Sequence, residues 1–287
     1  WEVEGFGIPI YVNHQYEFAS YKAPITNDME LDGIYPKYPS KVPHNYNPIG
    51  SYRRDFIIDE DWDEKEIFLH IGAMKSGGFV WLNGEYIGYS QGSKLPAEFN
   101  ITKAAKKGKN TIALQIFRWT DGSYLECQDF WRISGIERDV FIYAQPKVRI
   151  KDFEVTSVLD KAYQNGIFSI SIQLQNHSKK KKQLNLKYKI LEGSKYLVEG
   201  EKSVAIHKNK LQTINFVAEL ENVKQWSSEH PNLYTLLLET YTNKGKLLEV
   251  TSIKIGFRSV EIKKGLLLVN GQVITIKVVN DQETDHT

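Results

Sequence analysis

The sequence holds a single cysteine, Cys127, among 287 residues. That excludes an internal disulfide, so burial and hydrogen bonding must hold whatever fold forms. A lone thiol leaves the compartment open between cytoplasm and periplasm. No base lies beside Cys127 in the sequence, and it reads as a small space-filler rather than a reactive thiol. No apolar run approaches ~18 residues, so no membrane-spanning helix is expected. No signal peptide is visible, but Trp1 reads as the middle of a domain, and that absence says little about targeting. There is no glycine-rich phosphate loop, no zinc spacing and no Ser-His-Asp order. His177, His207 and His230 have no spacing that makes a metal site. The net charge is only +2, and residues 1–146 carry 15 Lys and Arg against 20 Asp and Glu, a balance of −5. The remainder has 22 against 15, a balance of +7. An acidic first half argues against nucleic acid as a partner. The basic run Lys179–Lys182 lacks interleaved aromatics and reads as a solvated hairpin tip between two strands.

What is present is β-sheet patterning. A hydrophobic share of 41% and a charged share of 25% are those of a globular protein, and 12% aromatic suits β-structure or carbohydrate contact. The length accommodates two domains. Tyr52, Arg54, Phe56 and Ile58 alternate with the residues between them. Strands follow at Ile67–Ile71, Phe79–Leu82, Glu85–Tyr89, Thr111–Phe117 and Val140–Tyr143, with one helical turn near Ala104 and Ala105. Asn83-Gly84 between apolar runs signals a tight hairpin, because both turn residues must tolerate positive φ. Short strands separated by turns indicate an antiparallel sandwich. Pro146 marks a boundary. Seven further strands, from Val148 to Phe257, fill about 110 residues, the size of an immunoglobulin-like sandwich. Asn270-Gly271 predicts another hairpin, and Trp226 reads as core or interface.

One stretch has neither period. Arg118–Val140 reads RWTDGSYLECQDFWRISGIERDV and carries five acids, Asp121, Glu126, Asp129, Glu137 and Asp139, beside Trp119, Tyr124, Phe130 and Trp131. Long loops inside compact domains are disproportionately functional. Carboxylates accept sugar hydroxyls, and flat rings cover a sugar's C–H face. On composition alone, a structural corner neutralised by Arg118, Arg132 and Arg138 explains the stretch as well.

The order of residues adds more. Asp121-Gly122-Ser123-Tyr124-Leu125-Glu126, then Gln128-Asp129, Trp131-Arg132, Ser134-Gly135-Ile136 and Arg138-Asp139-Val140, resembles a segment of bacterial β-galactosidases in glycoside hydrolase family 2. Pro9–Asn13, Asn47–Gly50, Trp81–Gly84 and Leu95–Phe99 agree in the same order, so the resemblance covers essentially the whole chain. It implies an all-β chain. A jelly-roll sugar-binding sandwich would span residues 1–146, an immunoglobulin-like sandwich 147–259, and the start of a (β/α)8 catalytic barrel 260–287. It also implies hydrolysis of terminal β-galactosides with retention by the whole enzyme; within the family, β-glucuronidase and β-mannosidase are further options.

Retaining glycosidases need two carboxyls about 5–5.5 Å apart. In the family both are barrel glutamates, and no catalytic residue is expected in this chain. Glu126 and Asp129 lie on one short stretch, which does not straddle a glycosidic bond. The resemblance gives Asp129 a place facing the galactose pocket and holding sodium, and gives Asn13 a reach into the galactose subsite. Asn13 reads equally as a turn residue. Asp121 and Gln91 match positions that bind magnesium in some relatives. The tail departs from the family, with Val278, Asp281 and Gln282 where Gly, Arg and often His stand. The implied partners are a β-galactoside, the chain's own barrel and a second copy of the chain. A stand-alone carbohydrate-binding module and a non-catalytic tandem-sandwich structural protein are the alternatives.

Overall fold

Inward apolar and outward polar side chains alternate along most strands, and the alternation builds two separate units, 1–145 and 146–287. The computed structural model describes residues 31–32, 35–36, 42, 47–126 and 134–275. Asn13, Cys127, Asp129, Phe130, Trp131 and Arg132, the edge strand expected at residues 8–13 and the altered tail 278–287 lie outside the described residues.

In the first unit, β1 (Leu31–Asp32) and β2 (Tyr35–Pro36) pair with each other. The main sheet orders β3 (Ile49–Ile58), β9 (Gly108–Phe117), β6 (Gly77–Leu82) and β7 (Glu85–Gln91), with every neighbour antiparallel. A second sheet orders β11 (Val140–Pro146), β4 (Lys65–Ile71) and β8 (Ala97–Asn100). The short strands β5 (Met74–Lys75) and β10 (Gly135–Ile136) form a third pairing. Leu69, Ile71, Val80, Leu82, Leu114 and Ile116 fill the core between the larger sheets. Asn83 and Gly84 take φ of 53° and 85°, the two-residue turn their sequence requires. The helical turn expected near Ala104 is only one turn long, closed by the Ala105 N–H to the Ile101 carbonyl at 2.9 Å.

In the second unit, β12 (Val148–Leu159), β13 (Gly166–Asn176) and β16 (Lys210–Leu220) form one sheet. The opposing sheet orders β15 (Lys195–Ile206), β14 (Lys182–Glu192), β17 (Tyr234–Thr242) and β18 (Leu247–Ile255). Placing strands one, two and five against four, three, six and seven is an immunoglobulin-like arrangement. Phe168, Ile172, Leu186, Ile190, Leu236 and Leu238 point inward from alternate positions to make its core. The lysine run differs from the expected hairpin tip, because β13 and β14 belong to opposite sheets. It turns a corner between sheets. Buried Asn176 holds that corner, donating to the carbonyls of Lys180 and Ile206 and accepting from the Ser178 N–H.

A small sheet of β19 (Val260–Lys263), β20 (Leu266–Val269) and β21 (Gln272–Val273) ends the described chain. Its Asn270-Gly271 turn has φ of 51° and 75°. The Asn270 amide donates to the Trp226 carbonyl, and its oxygen accepts from the Ser259 N–H, tying the turn to the second unit. Trp226 carries the Arg258 guanidinium 4.7 Å from its ring centre, a packing role in line with its sequence reading.

Candidate functional site

The acidic segment leaves the main sheet from the end of β9. Its first residues are buried structure. Asn47 grips the backbone of Trp119 at both ends, accepting from its N–H at 2.9 Å and donating to its carbonyl at 2.8 Å. The Arg118 guanidinium lies 4.0 Å from the Trp119 ring centre. Ser123 accepts from the Thr120 N–H and donates to the Arg118 carbonyl, and Thr120 donates to Ser76. These bonds turn the chain sharply into a one-turn helix, α1 (Gly122–Leu125), where the sequence predicts only a turn. The Asp121 carboxylate caps it by accepting from the Gly122 N–H.

Beyond that corner the segment comes to the surface. Asp121 is exposed, Glu126 half-buried and Leu125 81% exposed. The connection after β7 holds this part in place. Gln91 donates to Asp121, the Ser93 N–H donates to Glu126 at 3.0 Å, and Lys94 pairs with Glu137. The Arg138 guanidinium donates to the Lys94 carbonyl at 3.4 Å. The four residues Gln91 to Lys94 therefore clamp both arms of the segment. The sequence marks Gln91, but Ser93 escapes notice because a backbone N–H donor has no residue signature, and Lys94 because its partner Glu137 lies 43 positions away.

Tyr89 belongs to the same cluster. Its hydroxyl donates to the Gln91 side-chain oxygen at 2.6 Å. Burial, and then the negative charges of Asp121 and Glu126, push its ionisation above the ordinary tyrosine value.

The structure thus brings the expected metal pair, Gln91 and Asp121, into contact. Both ends of the Gln91 amide are engaged, one by Tyr89 and one by Asp121. A magnesium ion asks for a near-octahedral set of oxygens, and these two side chains supply one carboxylate and one amide oxygen. Among the described residues no three His, Cys, Asp or Glu are placed to hold a metal ion. On their own, Gln91 and Asp121 do not fit the ion. Asn13 and Asp129 lie outside the described residues.

The family model for the sugar binding domain of glycosyl hydrolases family 2 matches residues 1–146, and a second model of the same family matches residues 148–258. The chain belongs to glycoside hydrolase family 2. Among its family 2 relatives, a β-galactosidase of Priestia megaterium is 36% identical over 288 residues, covering 99% of this chain and 26% of that protein. One of Streptococcus thermophilus is 35% identical over 282 residues, covering 98% and 25%. The chain therefore spans about a quarter of the length of the curated relatives it matches. A β-glucuronidase of Bacteroides uniformis shares the fold at a TM-score of 0.73 and 22% identity, over 79% of this chain and 28% of that one. A putative β-galactosidase of Bacteroides fragilis does so at 0.72 and 20%, over 80% and 36%. Family 2 membership agrees with the two-sandwich architecture. Among the described residues no helix is long and apolar enough to cross a membrane.

Proposed function

We propose that this chain is the non-catalytic front portion of a β-galactosidase, and that its acidic segment forms one wall of the galactose pocket. The observation that carries the reading is the exposed arm of that segment. After a buried, tightly hydrogen-bonded corner, Asp121 and Glu126 emerge at the surface, clamped by the connection after β7. A polar loop anchored on a sandwich is a means of positioning a substrate. Asp129, three positions after Glu126 in the sequence, would accept hydroxyl hydrogen bonds from galactose and supply one oxygen to a sodium ion. Asn13 would reach the same subsite. The barrel glutamates that break the bond would lie beyond residues 260–287, which would lead into the barrel. Magnesium at Asp121 and Gln91 would require oxygen donors besides these two. The family's β-glucuronidases are the second reading, and the β-galactosidase names of the relatives at 35–36% identity favour the first.

The test is Asp129→Asn in the intact polypeptide encoded by the gene. Loss of a charged hydrogen bond should raise KM for a chromogenic β-galactoside about tenfold or more. An unchanged KM refutes the pocket-wall role.

A further inference from the structure

The acidic segment's returning arm meets the first unit at a sheltered ion pair. Its backbone lies against the chain that follows β4. Gly135 stands opposite Lys75 and Ile136 opposite Met74, the Glu137 N–H donates to the Ala73 carbonyl, and the Asp139 carbonyl accepts from the Gly72 N–H at 2.9 Å. From this arm the Glu137 carboxylate pairs with Lys94. Lys94 belongs to the connection 92–96 between β7 and β8, which has a frame of its own. Gly92 takes φ of 126°, and the Leu95 N–H donates to the Gly92 carbonyl at 2.8 Å, closing a turn around Ser93 and Lys94. From the same turn the Ser93 N–H donates to Glu126 on the outgoing arm at 3.0 Å. Two consecutive residues of one turn therefore hold the two arms, on either side of positions 127–133. The Lys94 side chain is 28% exposed and that of Glu137 11%. The second carboxylate oxygen of Glu137 is buried without a hydrogen-bond partner, as is the Ser93 hydroxyl. Stability alone would favour apolar side chains here, because desolvating two charges offsets much of their attraction.

We infer that Lys94 and Glu137 are positioning residues for the galactose pocket: their pair fixes the spacing of the two arms, and through that spacing it sets substrate affinity. The inference rests on the pocket-wall reading proposed above. Asn47 and Ser123 fix the buried corner where the outgoing arm starts. The turn at Ser93 and Lys94 acts further along, where the arm has reached the surface, and it alone of these contacts joins that arm to the returning one. A loop held at both ends samples fewer conformations, so less ordering is left for the ligand to impose. Removing Lys94 leaves the Glu137 carboxylate sheltered and without its cation. The returning arm then shifts to hydrate that charge, and the turn that presents the Ser93 N–H to Glu126 loses its second hold. The consequence falls on binding. The pair does not touch the scissile bond, so the chemical step keeps its rate.

The test has two parts. In the 287-residue chain, Lys94→Met should speed amide hydrogen exchange about tenfold or more in peptides containing Ser93, while the core strand β9 keeps its protection. In the intact polypeptide encoded by the gene, Lys94→Met and Glu137→Gln should each raise KM for the chromogenic β-galactoside about fivefold with kcat within about twofold. The double variant should be no worse than the poorer single one, because both remove the same contact. Lys94→Arg keeps the charge and should hold KM within about twofold of the unaltered protein. A pair that only stabilises the fold would lower the active fraction, and with it the apparent kcat, at unchanged KM. Unchanged exchange in Lys94→Met overturns the inference. So do KM effects that add in the double variant, or a KM that Lys94→Met leaves alone while Asp129→Asn raises it. If Asp129→Asn itself leaves KM unchanged, the pocket wall falls and the positioning role falls with it; faster exchange then marks a tie that serves the fold alone.

Discussion

At the scale of single residues, Tyr89 joins two surfaces of the first unit. Its ring packs on Phe79, and its hydroxyl donates to Gln91, which in turn donates to Asp121. Burial is the larger cause of its raised ionisation, and the two carboxylates add to it. The sign follows directly. A phenol whose folded-state value lies above the ordinary 10.0 contributes stability that is whole below that value and is lost as pH rises through the raised one. Removing one negative charge should bring the titration part of the way back. In a spectrophotometric titration against a Tyr89→Phe reference, Asp121→Asn should therefore lower the Tyr89 value without restoring it fully. A full return would mean that charge, not burial, dominates. The family resemblance points to Gln91 and Asp121 as magnesium positions, and the sequence shows Tyr89 only as a strand position. Nothing in a strand's period reveals which outward tyrosine will meet a carboxylate 32 positions away.

At the scale of elements, the strands are legible because burial imposes a period of two. β13 shows it without a break, its inward positions Phe168, Ile170, Ile172 and Leu174 alternating with half-exposed neighbours. The Asn-Gly turns are legible for a different reason, since few residues accept positive φ. Gly84 has φ of 85° with open space where a Cβ would stand, so the strain of Gly84→Ala is purely conformational. About 1–2 kcal/mol of destabilisation is expected, read from the urea midpoint with the m-value unchanged. A loss of less than a few tenths would show that the hairpin tolerates another turn. What escaped sequence reading has no pattern to show. β5 and β10 are two residues each, and their pairing is set by where the acidic segment returns to the sheet. The helix α1 is nucleated by the Asp121 cap and the hydrogen bonds of Ser123, not by helical periodicity. The lysine corner looks like a hairpin in one dimension and becomes a crossing between sheets only once β13 and β14 choose different partners.

At the scale of the whole molecule, each of the two units buries its own core. The chain covers about a quarter of relatives whose names record bond-breaking. Its described residues offer an anchored acidic loop. Two neighbouring acids on that loop, Asp121 and Glu126, are already committed as hydrogen-bond acceptors from Gln91, the Gly122 N–H and the Ser93 N–H. Such groups can orient a sugar, but a retaining glycosidase also needs an acid/base and a nucleophile on either side of the scissile bond. The central claim is that this chain positions substrate and does not cleave it. The most direct measurement is release of nitrophenol from a nitrophenyl β-galactoside by the purified 287-residue chain. The account predicts a rate equal to that of buffer; turnover above buffer that disappears on Glu126→Gln or Asp129→Asn would contradict it.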